Sequence, residues 1–280
     1  MKLSSALIAF FAAASLCAAA LAQEKPVDAG PYVASPDSAV AAMLREAEVG
    51  PDDYLIDLGS GDGRIVRTAA KVFGARGMGV EIQPDLVQLS NRLAQQEGVA
   101  ERVKFVAQDL FKTDISPATV VTIYLLPQTV NMLAPKLLAE LRPGARVVSH
   151  DYGLAGWVPH KQLELEDPAK VAISGVARTV IYVYVIPARV AGRWSATVPA
   201  SLAKGVVQFD FNQHANRLGG EATIDGQIVP MADGRVAGKE VTFRLAGHSG
   251  VFRGRVVGDR IEGWVEGEGG RRPWSATRRG

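Results

Sequence analysis

The chain has 280 residues, of which 48% are hydrophobic and 21% are charged, and its formal net charge is +2. This length allows one large domain or two small ones, and the composition is ordinary for a globular protein. So small a net charge indicates no basic surface large enough to predict a nucleic-acid partner.

The N-terminal segment has the parts of a secretory signal peptide. Lys2 precedes an apolar stretch at 7–21, and the sequence Ala-Leu-Ala at 20–22 fits a small-x-small cleavage site. We therefore expect cleavage before Gln23, a periplasmic or secreted mature protein, and no stable membrane span. An uncleaved, membrane-tethered chain is the alternative, although the stretch is shorter than the roughly 20 apolar residues that a transmembrane helix needs.

Cys17 is the only cysteine of the chain, and it lies within this predicted signal. Lipoprotein processing at Cys17 is disfavoured because bulky Leu16 stands where a small residue is needed. The mature chain would therefore have no disulfide and no thiolate metal site, and we expect no metal.

Strands and helices alternate in the first two thirds of the chain. A first helix is predicted at 35–49, with Ser35 as its N-cap and Pro36 at its first helical position. Strands are predicted at 54–59, 77–82, 103–110, 118–126, 145–150 and 179–187, and helices at 65–73, 84–98 and 135–144, the last beginning at Pro135. This alternation predicts an α/β fold with a mostly parallel sheet and helices on both faces.

The pattern changes after Pro187, where the helical periodicity ends. Short alternating runs, with turns roughly every ten residues at glycine or Asp-Gly, predict hairpins in a small all-β barrel or sandwich. The sequence RWSAT at 193–197 returns as PWSAT at 273–277, so we expect the first and last strands side by side with buried tryptophans. The predicted division of the chain is a signal at 1–22, an α/β domain at 31–188 and a β-rich domain at 190–280.

The segment IDLGSGDGRI at 56–65 is the strongest candidate for a ligand loop. Its glycines have the spacing Gly59-x-Gly61-x-Gly63 directly after a predicted strand. This is one residue tighter than the G-x-G-x-x-G of dinucleotide folds. Alone, the pattern fits a tight strand-to-helix turn without a ligand equally well.

Three acidic residues stand near the carboxyl ends of three successive predicted strands. Asp57 precedes the loop, Glu81 ends the second strand and Asp109 ends the third. At these positions Glu81 could accept both hydroxyls of a ribose, and Asp109 could accept from an adenine amino group. Since open α/β sheets bind ligands at this edge, the three acids favour a ligand over an empty turn.

These motifs together resemble the seven-strand, class I S-adenosylmethionine-dependent methyltransferases. DLGSGDG is similar to their first motif, GVEI to their second and QDL to their third, and the resemblance covers roughly 31–187. It implies an open Rossmann-like sheet and S-adenosyl-L-methionine as cofactor. The cofactor contacts implied by the resemblance and by charge are Asp57 near the sulfonium, Gly59, Ser60 and Gly61 at the amino-acid part, Glu81 at the ribose, and Asp109 with Leu110 at the adenine.

A narrower resemblance is carried by PYVASP, DLGSGDGRIV, VVTIYLLP and RVVSHDY. These segments are similar to lysine methyltransferases related to the mitochondrial ATP-synthase c-subunit enzyme, which implies N-methylation of a protein lysine. A small amine or hydroxyl compound is the alternative acceptor, and an exported binding module that kept the nucleoside pocket is the non-catalytic alternative. The sequence IYLLP replaces the Asn/Asp-Pro-Pro-aromatic signature of base and glutamine-amide methyltransferases, which disfavours those substrates.

Methyl transfer from a sulfonium is an in-line displacement with an excellent leaving group. The protein therefore mainly has to hold a neutral nucleophile within near-attack distance, without a metal or a covalent intermediate. Around the methyl position we expect Tyr32, Tyr124, His150 and Asp151. A structural role, such as a packed tyrosine at a strand end or a capping histidine, is the alternative for each.

Overall fold

The protein is represented by a computed structural model that describes residues 32–279, except for the side chains of residues 173 and 174. The predicted signal at 1–22 lies outside the described residues. Within the described range, no helix has both the length and the apolar character that a membrane crossing requires.

A seven-stranded sheet forms the first part of the described chain. Its elements are, in chain order, α1 (Asp37–Glu46), β1 (Tyr54–Leu58), α2 (Arg64–Phe73), β2 (Arg76–Glu81), α3 (Pro84–Gln96), β3 (Val103–Ala107), β4 (Val120–Ile123), α4 (Pro127–Glu140), β5 (Arg146–His150), β6 (Lys161–Glu166), α5 (Pro168–Ser174) and β7 (Arg178–Val185). The strand order is β3-β2-β1-β4-β5-β7-β6. Strand β7 alone runs opposite to the other six strands, so the predicted mostly parallel sheet is confirmed.

The central strands are buried on both faces. In β1, Leu55 belongs to the hydrophobic cluster on one side of the sheet and Ile56 to the cluster on the other side. Strands covered on both sides consist of nearly continuous apolar residues, as YLIDL and VVTI do. Their two polar exceptions, Asp57 and Thr122, are hydrogen-bonded to each other at 2.7 Å, which compensates the burial of both.

Two helix boundaries differ from the sequence prediction. Helix α1 begins at Asp37, and Ser35 does not cap it, because its hydroxyl lies 3.0 Å from Nδ1 of His150 instead. Helix α4 begins at Pro127, so the predicted start at Pro135 is wrong, and Pro135 lies inside the helix. Proline is favoured in the first turn of a helix, and both prolines carry that signal, but only the earlier one marks the start.

A closed eight-stranded barrel forms the second part. Its strands are β8 (Gly192–Thr197), β9 (Val207–His214), β10 (Arg217–Ile224), β11 (Gln227–Ala237), β12 (Glu240–Leu245), β13 (Val251–Val257), β14 (Arg260–Gly267) and β15 (Gly270–Arg278). The last strand closes on the first, with Ala276 opposite Ala196. Trp194 and Trp274 are buried, which confirms the pairing predicted from the repeated sequence.

Aromatic side chains fill the interior of the barrel. Phe209, Phe243, Phe252 and Trp274 are at most 3% exposed, and the ring centroids of Phe243 and Phe252 lie 4.6 Å apart. Trp274 meets Phe252 edge-to-face at 5.3 Å. Eight strands enclose a space just wide enough for side chains to fill, so this interior is a packed core.

The barrel is joined to the sheet at the amino-terminal edge of the parallel strands. The amide of Ala188 donates to the carbonyl of Gly238 at 2.6 Å, and a Cβ on Gly238 would lie 3.4 Å from Cα of Gly144, just before β5. The side chain of Asn216 also exchanges two hydrogen bonds with the backbone of Val158, at 3.0 and 2.6 Å. The predicted boundary at 188–190 falls in the connection between β7 and β8.

Candidate active site

The glycine loop between β1 and α2 is packed too closely for larger residues. A Cβ on Gly59 would lie 2.7 Å from Cδ2 of Leu125, and a Cβ on Gly61 would overlap the ring of Tyr32. Both glycines have positive φ, at 82° and 53°. The amides of Gly59 and Ser60 both donate to the carbonyl of Val80 at 2.9 Å, which ties the loop to the end of β2.

Glu81 holds this loop in shape. Its Oε2 accepts from the amide of Gly61 at 2.9 Å, and its Oε1 accepts from the amides of Ile82 and Gln83 at 2.8 and 3.0 Å. The residue is 7% exposed. A carboxylate accepts about four hydrogen bonds, so one position remains, which suits one ribose hydroxyl and not the two expected from the sequence. The structure thus adds a supporting role that the sequence did not reveal.

Asp57 is a buried acid with a perturbed pKa. Burial raises the pKa of Asp57 to about 7; the hydrogen bond from Thr122 opposes this rise, and nearby Glu81 and Asp62 add to it. Asp57 has no ion pair within residues 32–279, and there the buried hydroxyl of Ser60 has no hydrogen-bond partner. An unpaired buried acid beside an unsatisfied hydroxyl fits a polar ligand that carries positive charge.

The raised pKa of Asp57 predicts a pH-dependent stability. Between its unfolded pKa of 3.8 and about 7, the folded protein holds a proton that the unfolded chain has lost. This contribution therefore falls as the pH rises through that window, by roughly 4 kcal/mol, and is constant above it. Asp57→Asn, whose side chain still accepts a hydrogen bond from Thr122, should make the free energy of unfolding less dependent on pH in this window. Thermal melts of both proteins from pH 4 to 8 test this, and parallel curves would contradict it.

Asp109 lies two residues beyond the end of β3, and Leu110 is buried beside it. Its Oδ1 accepts from the amide of Phe111 at 2.8 Å, and its carbonyl accepts from the hydroxyl of Thr113 at 2.9 Å. These bonds fix a turn at the carboxyl edge of the sheet, next to the strand that carries Glu81. The adenine contact of Asp109 and Leu110 stays a prediction.

A narrow cleft of about 20 Å³ opens beside the glycine loop, between the loop, Tyr124 and the segment 32–35. Arg64 pins that segment, because its guanidinium donates to the carbonyl of Ser35 at 2.8 Å. The same guanidinium is held by Asp62, with Nη2 and Oδ2 2.8 Å apart. The cleft therefore has a fixed wall on the side of the N-terminal segment.

The four predicted catalytic residues separate into two pairs. Tyr32 and Tyr124 line the cleft. His150 is fully buried and stacks on the ring of Tyr124, with 4.0 Å between the centroids. Asp151 accepts from Nζ of Lys170 at 2.7 Å and from the amide of Val180 at 3.2 Å. His150 and Asp151 do not appear among the residues that line the cleft.

Burial and the neighbouring acid set the protonation of this group. Burial lowers the pKa of His150 to about 4, so its ring is neutral at physiological pH. Burial and Asp151 raise the pKa of Tyr124 to about 12, so its hydroxyl keeps its proton. The neutral phenol of Tyr124 therefore lines the cleft, and His150 and Asp151 support it from the side away from the cleft.

Two contributors to the site were not foreseen in these roles. Ser35 connects the N-terminal segment to His150, and Lys170 neutralises Asp151. Both partners are distant in sequence or lie on an element that was not predicted, so no local pattern indicates them. Within residues 32–279, no group of three or more histidine, cysteine or acidic side chains could hold a metal ion.

Comparisons with known proteins agree with this geometry. The family model described as the ANTKMT methyltransferase domain matches residues 57–161. The protein-lysine N-methyltransferase of Saccharolobus islandicus is 43% identical over 157 residues, which are 56% of this chain and 93% of that protein. The adenine nucleotide translocase lysine N-methyltransferase of Mus musculus is 37% identical over 46% of this chain, and the match spans 56% of that protein.

A solved structure points the same way. The crystal structure described as an RNA methyltransferase from Salinibacter ruber, in complex with S-adenosyl-L-homocysteine, is 46% identical with a TM-score of 0.52. The match covers 56% of this chain and 96% of that chain. The chain therefore belongs to the same family of class I S-adenosylmethionine-dependent methyltransferases as the Saccharolobus protein-lysine enzyme, and its cofactor is S-adenosyl-L-methionine.

Proposed function

We propose that the protein methylates the side-chain nitrogen of a lysine in another protein. The observation that carries this proposal is the pair of tyrosines, Tyr32 and Tyr124, which line the cleft beside the glycine loop. Aromatic rings attract an alkylammonium group through their π faces, and a slim unbranched chain suits a narrow cleft. The Saccharolobus protein-lysine N-methyltransferase is 43% identical to this chain, and the match covers 93% of that protein, which supports a lysine acceptor here as well.

The bound cofactor supplies an electrophilic methyl group on a positively charged sulfonium. The glycine loop lets the backbone approach the cofactor closely. A positive charge beside Asp57 would favour its ionised form, which then supplies negative charge near the end of β1. Burial and the nearby Asp151 keep the Tyr124 hydroxyl protonated, and its phenol oxygen can accept a hydrogen bond from the acceptor amine. Desolvation favours the neutral amine, whose proton is released to solvent. Its lone pair would then attack the methyl group in line, so that the N–C bond forms as the S–C bond breaks and S-adenosyl-L-homocysteine leaves.

Removing the Tyr124 hydroxyl tests this orientation. We expect Tyr124→Phe to lower kcat about tenfold and to leave the KM for S-adenosyl-L-methionine unchanged, because only a positioning hydrogen bond is lost. Tyr54→Phe is the matched control, since Tyr54 lies at the amino-terminal end of β1. Equal activity of the Tyr124 variant and the wild type would show that the hydroxyl does not orient the acceptor.

The acceptor class itself is tested by labelling. The mature protein and tritiated cofactor are incubated with a cell-envelope extract, which is then divided into protein, RNA and low-mass fractions. Label in protein, retained as methyl-lysine after hydrolysis, supports the proposal. Label in RNA would favour the acceptor named for the Salinibacter relative, and label only at low mass would favour a small amine or hydroxyl compound.

We also propose that the protein acts outside the bacterial inner membrane. Lys2, the apolar stretch at 7–21 and the Ala-Leu-Ala sequence support export and cleavage before Gln23. The alanine-rich stretch gains little from hydrocarbon, which makes it a poor permanent anchor. N-terminal sequencing after cell fractionation is the test. A chain that begins at Met1 in the membrane fraction contradicts cleavage, and a cytosolic chain contradicts export.

A further inference from the structure

A row of outward-facing side chains crosses the barrel from β9 to β14. The antiparallel registers place the members directly opposite one another on successive strands: His214, Arg217, Arg235, Thr242, Arg253 and Trp264. Neighbouring strands lie about 4.8 Å apart, so the row runs over roughly 24 Å. It contains three arginines, a histidine and a tryptophan, and no carboxylate.

Arg217 and Arg235 face each other without a balancing acid. Like charges directly opposite on neighbouring strands destabilise a sheet. The Nε of Arg217 donates to the carbonyl of Gly156 at 3.0 Å, which satisfies a donor and leaves the charge uncompensated. Arg235 forms no ion pair with any residue in the described part of the chain. The unfavourable repulsion between Arg217 and Arg235 indicates a negatively charged ligand that offsets it.

The two arginines lie in a cleft of about 920 Å³ between the barrel and Val158. The registers of β10 with β11 and of β11 with β12 shift at this point, as expected at β-bulges. A Cβ on Gly234 would overlap the carbonyl of Leu218, so the bulged strand needs glycine there. Bulges redirect side chains, and these ones leave a concave floor beside the guanidinium groups.

One acidic residue lines the cleft beside the two arginines, and the others nearby lie further along the strands. Asp233 lines the cleft, but its side chain is 82% exposed and lies 3.9 Å from Arg244. Asp210 and Glu221 oppose each other further along β9 and β10, roughly 13 Å from Arg217 along the strand. The cleft therefore keeps a positive charge.

We propose that this cleft binds a phosphate group. Arginine presents a planar fork of donors that matches phosphate oxygens, and Arg217 and Arg235 together with His214 supply more donors than one carboxylate can accept. Arg253, further along the row, already pairs with Glu266 at 3.2 Å, and Arg271 lies over the ring of Trp264, so the proposed site consists of Arg217, Arg235 and His214. The phosphate belongs either to a soluble compound or to a phospholipid head group. The proposal does not depend on the identity of the methyl acceptor.

Calorimetric titration and vesicle flotation test the site on the full mature chain. Inorganic pyrophosphate at low ionic strength probes a soluble ligand, and phosphatidylglycerol vesicles, with phosphatidylcholine vesicles as a neutral reference, probe a lipid. We expect Arg235→Gln to weaken binding at least tenfold, because one of the two guanidinium forks is removed. Arg260→Gln is the control of equal charge, since Arg260 lies outside the cleft and pairs with Glu262.

Thermal melting separates binding from folding. In phosphate-free buffer Arg235→Gln should melt at the same or a higher temperature than the wild type, because a repulsion is relieved. Pyrophosphate should raise the melting temperature of the wild type and of Arg260→Gln, and not that of Arg235→Gln. Binding of the vesicles alone assigns the phosphate to a lipid. Binding of neither probe, or equal losses in both variants, would overturn the proposal.

Discussion

Glu81→Ala is expected to weaken the binding of S-adenosyl-L-homocysteine roughly 10- to 150-fold. The change removes a buried acceptor of three backbone hydrogen bonds and the predicted ribose contact. A hydrogen bond to a charged group contributes about 1.5–3 kcal/mol, and the amide of Gly61 would in addition be left without its partner. Calorimetric titration of the mature protein measures the loss directly.

Asp85→Ala is the matched control for this experiment. Asp85 is an exposed acid in the first turn of α3, four residues beyond Glu81. Its removal should leave the affinity nearly unchanged, so the general loss of a negative charge is accounted for. An affinity of Glu81→Ala equal to that of the control would refute both the ribose contact and the supporting role. Failure of the wild type to bind at millimolar ligand would favour a module without catalytic activity.

Trp274→Ala is expected to destabilise the barrel by about 3–5 kcal/mol. The indole is 3% exposed, packs edge-to-face on three phenylalanines and donates to the carbonyl of Arg253 at 2.9 Å. Truncation leaves both a cavity and an unpaired carbonyl. Urea unfolding followed by far-ultraviolet circular dichroism measures the loss.

Trp264→Ala serves as the comparison, because Trp264 is 37% exposed on the outside of the same barrel. A loss below about 1 kcal/mol is expected there, as for other surface changes. Affinity for S-adenosyl-L-homocysteine should survive in the folded fraction of both variants. Equal losses in the two variants would mean that the aromatic interior does not stabilise the barrel.

The sequence predicted those parts of the fold that depend on local patterns. The position of the glycine loop after β1 and that of Glu81 at the end of β2 were both predicted correctly. Each depends only on an apolar run and glycines that lie within a few residues of one another. The repeated tryptophan motif correctly predicted the closing strand pair of the barrel. Two strands with the same alternation of buried and exposed residues can lie side by side and direct their tryptophans into the same core. Strand β6 was missed although KQLELE alternates, with Leu163 and Leu165 packed against the core.

The supporting contacts of the site could not be predicted in the same way. Ser35 precedes a helix and has the residue type of an N-cap, so the local rule applies to it. Its actual partner, His150, is 115 residues away, and only the folded sheet brings the two together. The same holds for Thr122 and Asp57, which are neighbours across β1 and β4 and 65 residues apart in the chain.

The attachment of the barrel at the amino-terminal edge of the sheet has a consequence for the architecture of such enzymes. The chain leaves β7 at the side facing away from the carboxyl ends of the parallel strands, where Gly144 and Gly238 meet. A module fused at this exit neither crosses the methyl-transfer cleft nor narrows the approach of a large acceptor. This connection is therefore the position at which an engineered fusion would leave the carboxyl edge of the sheet open.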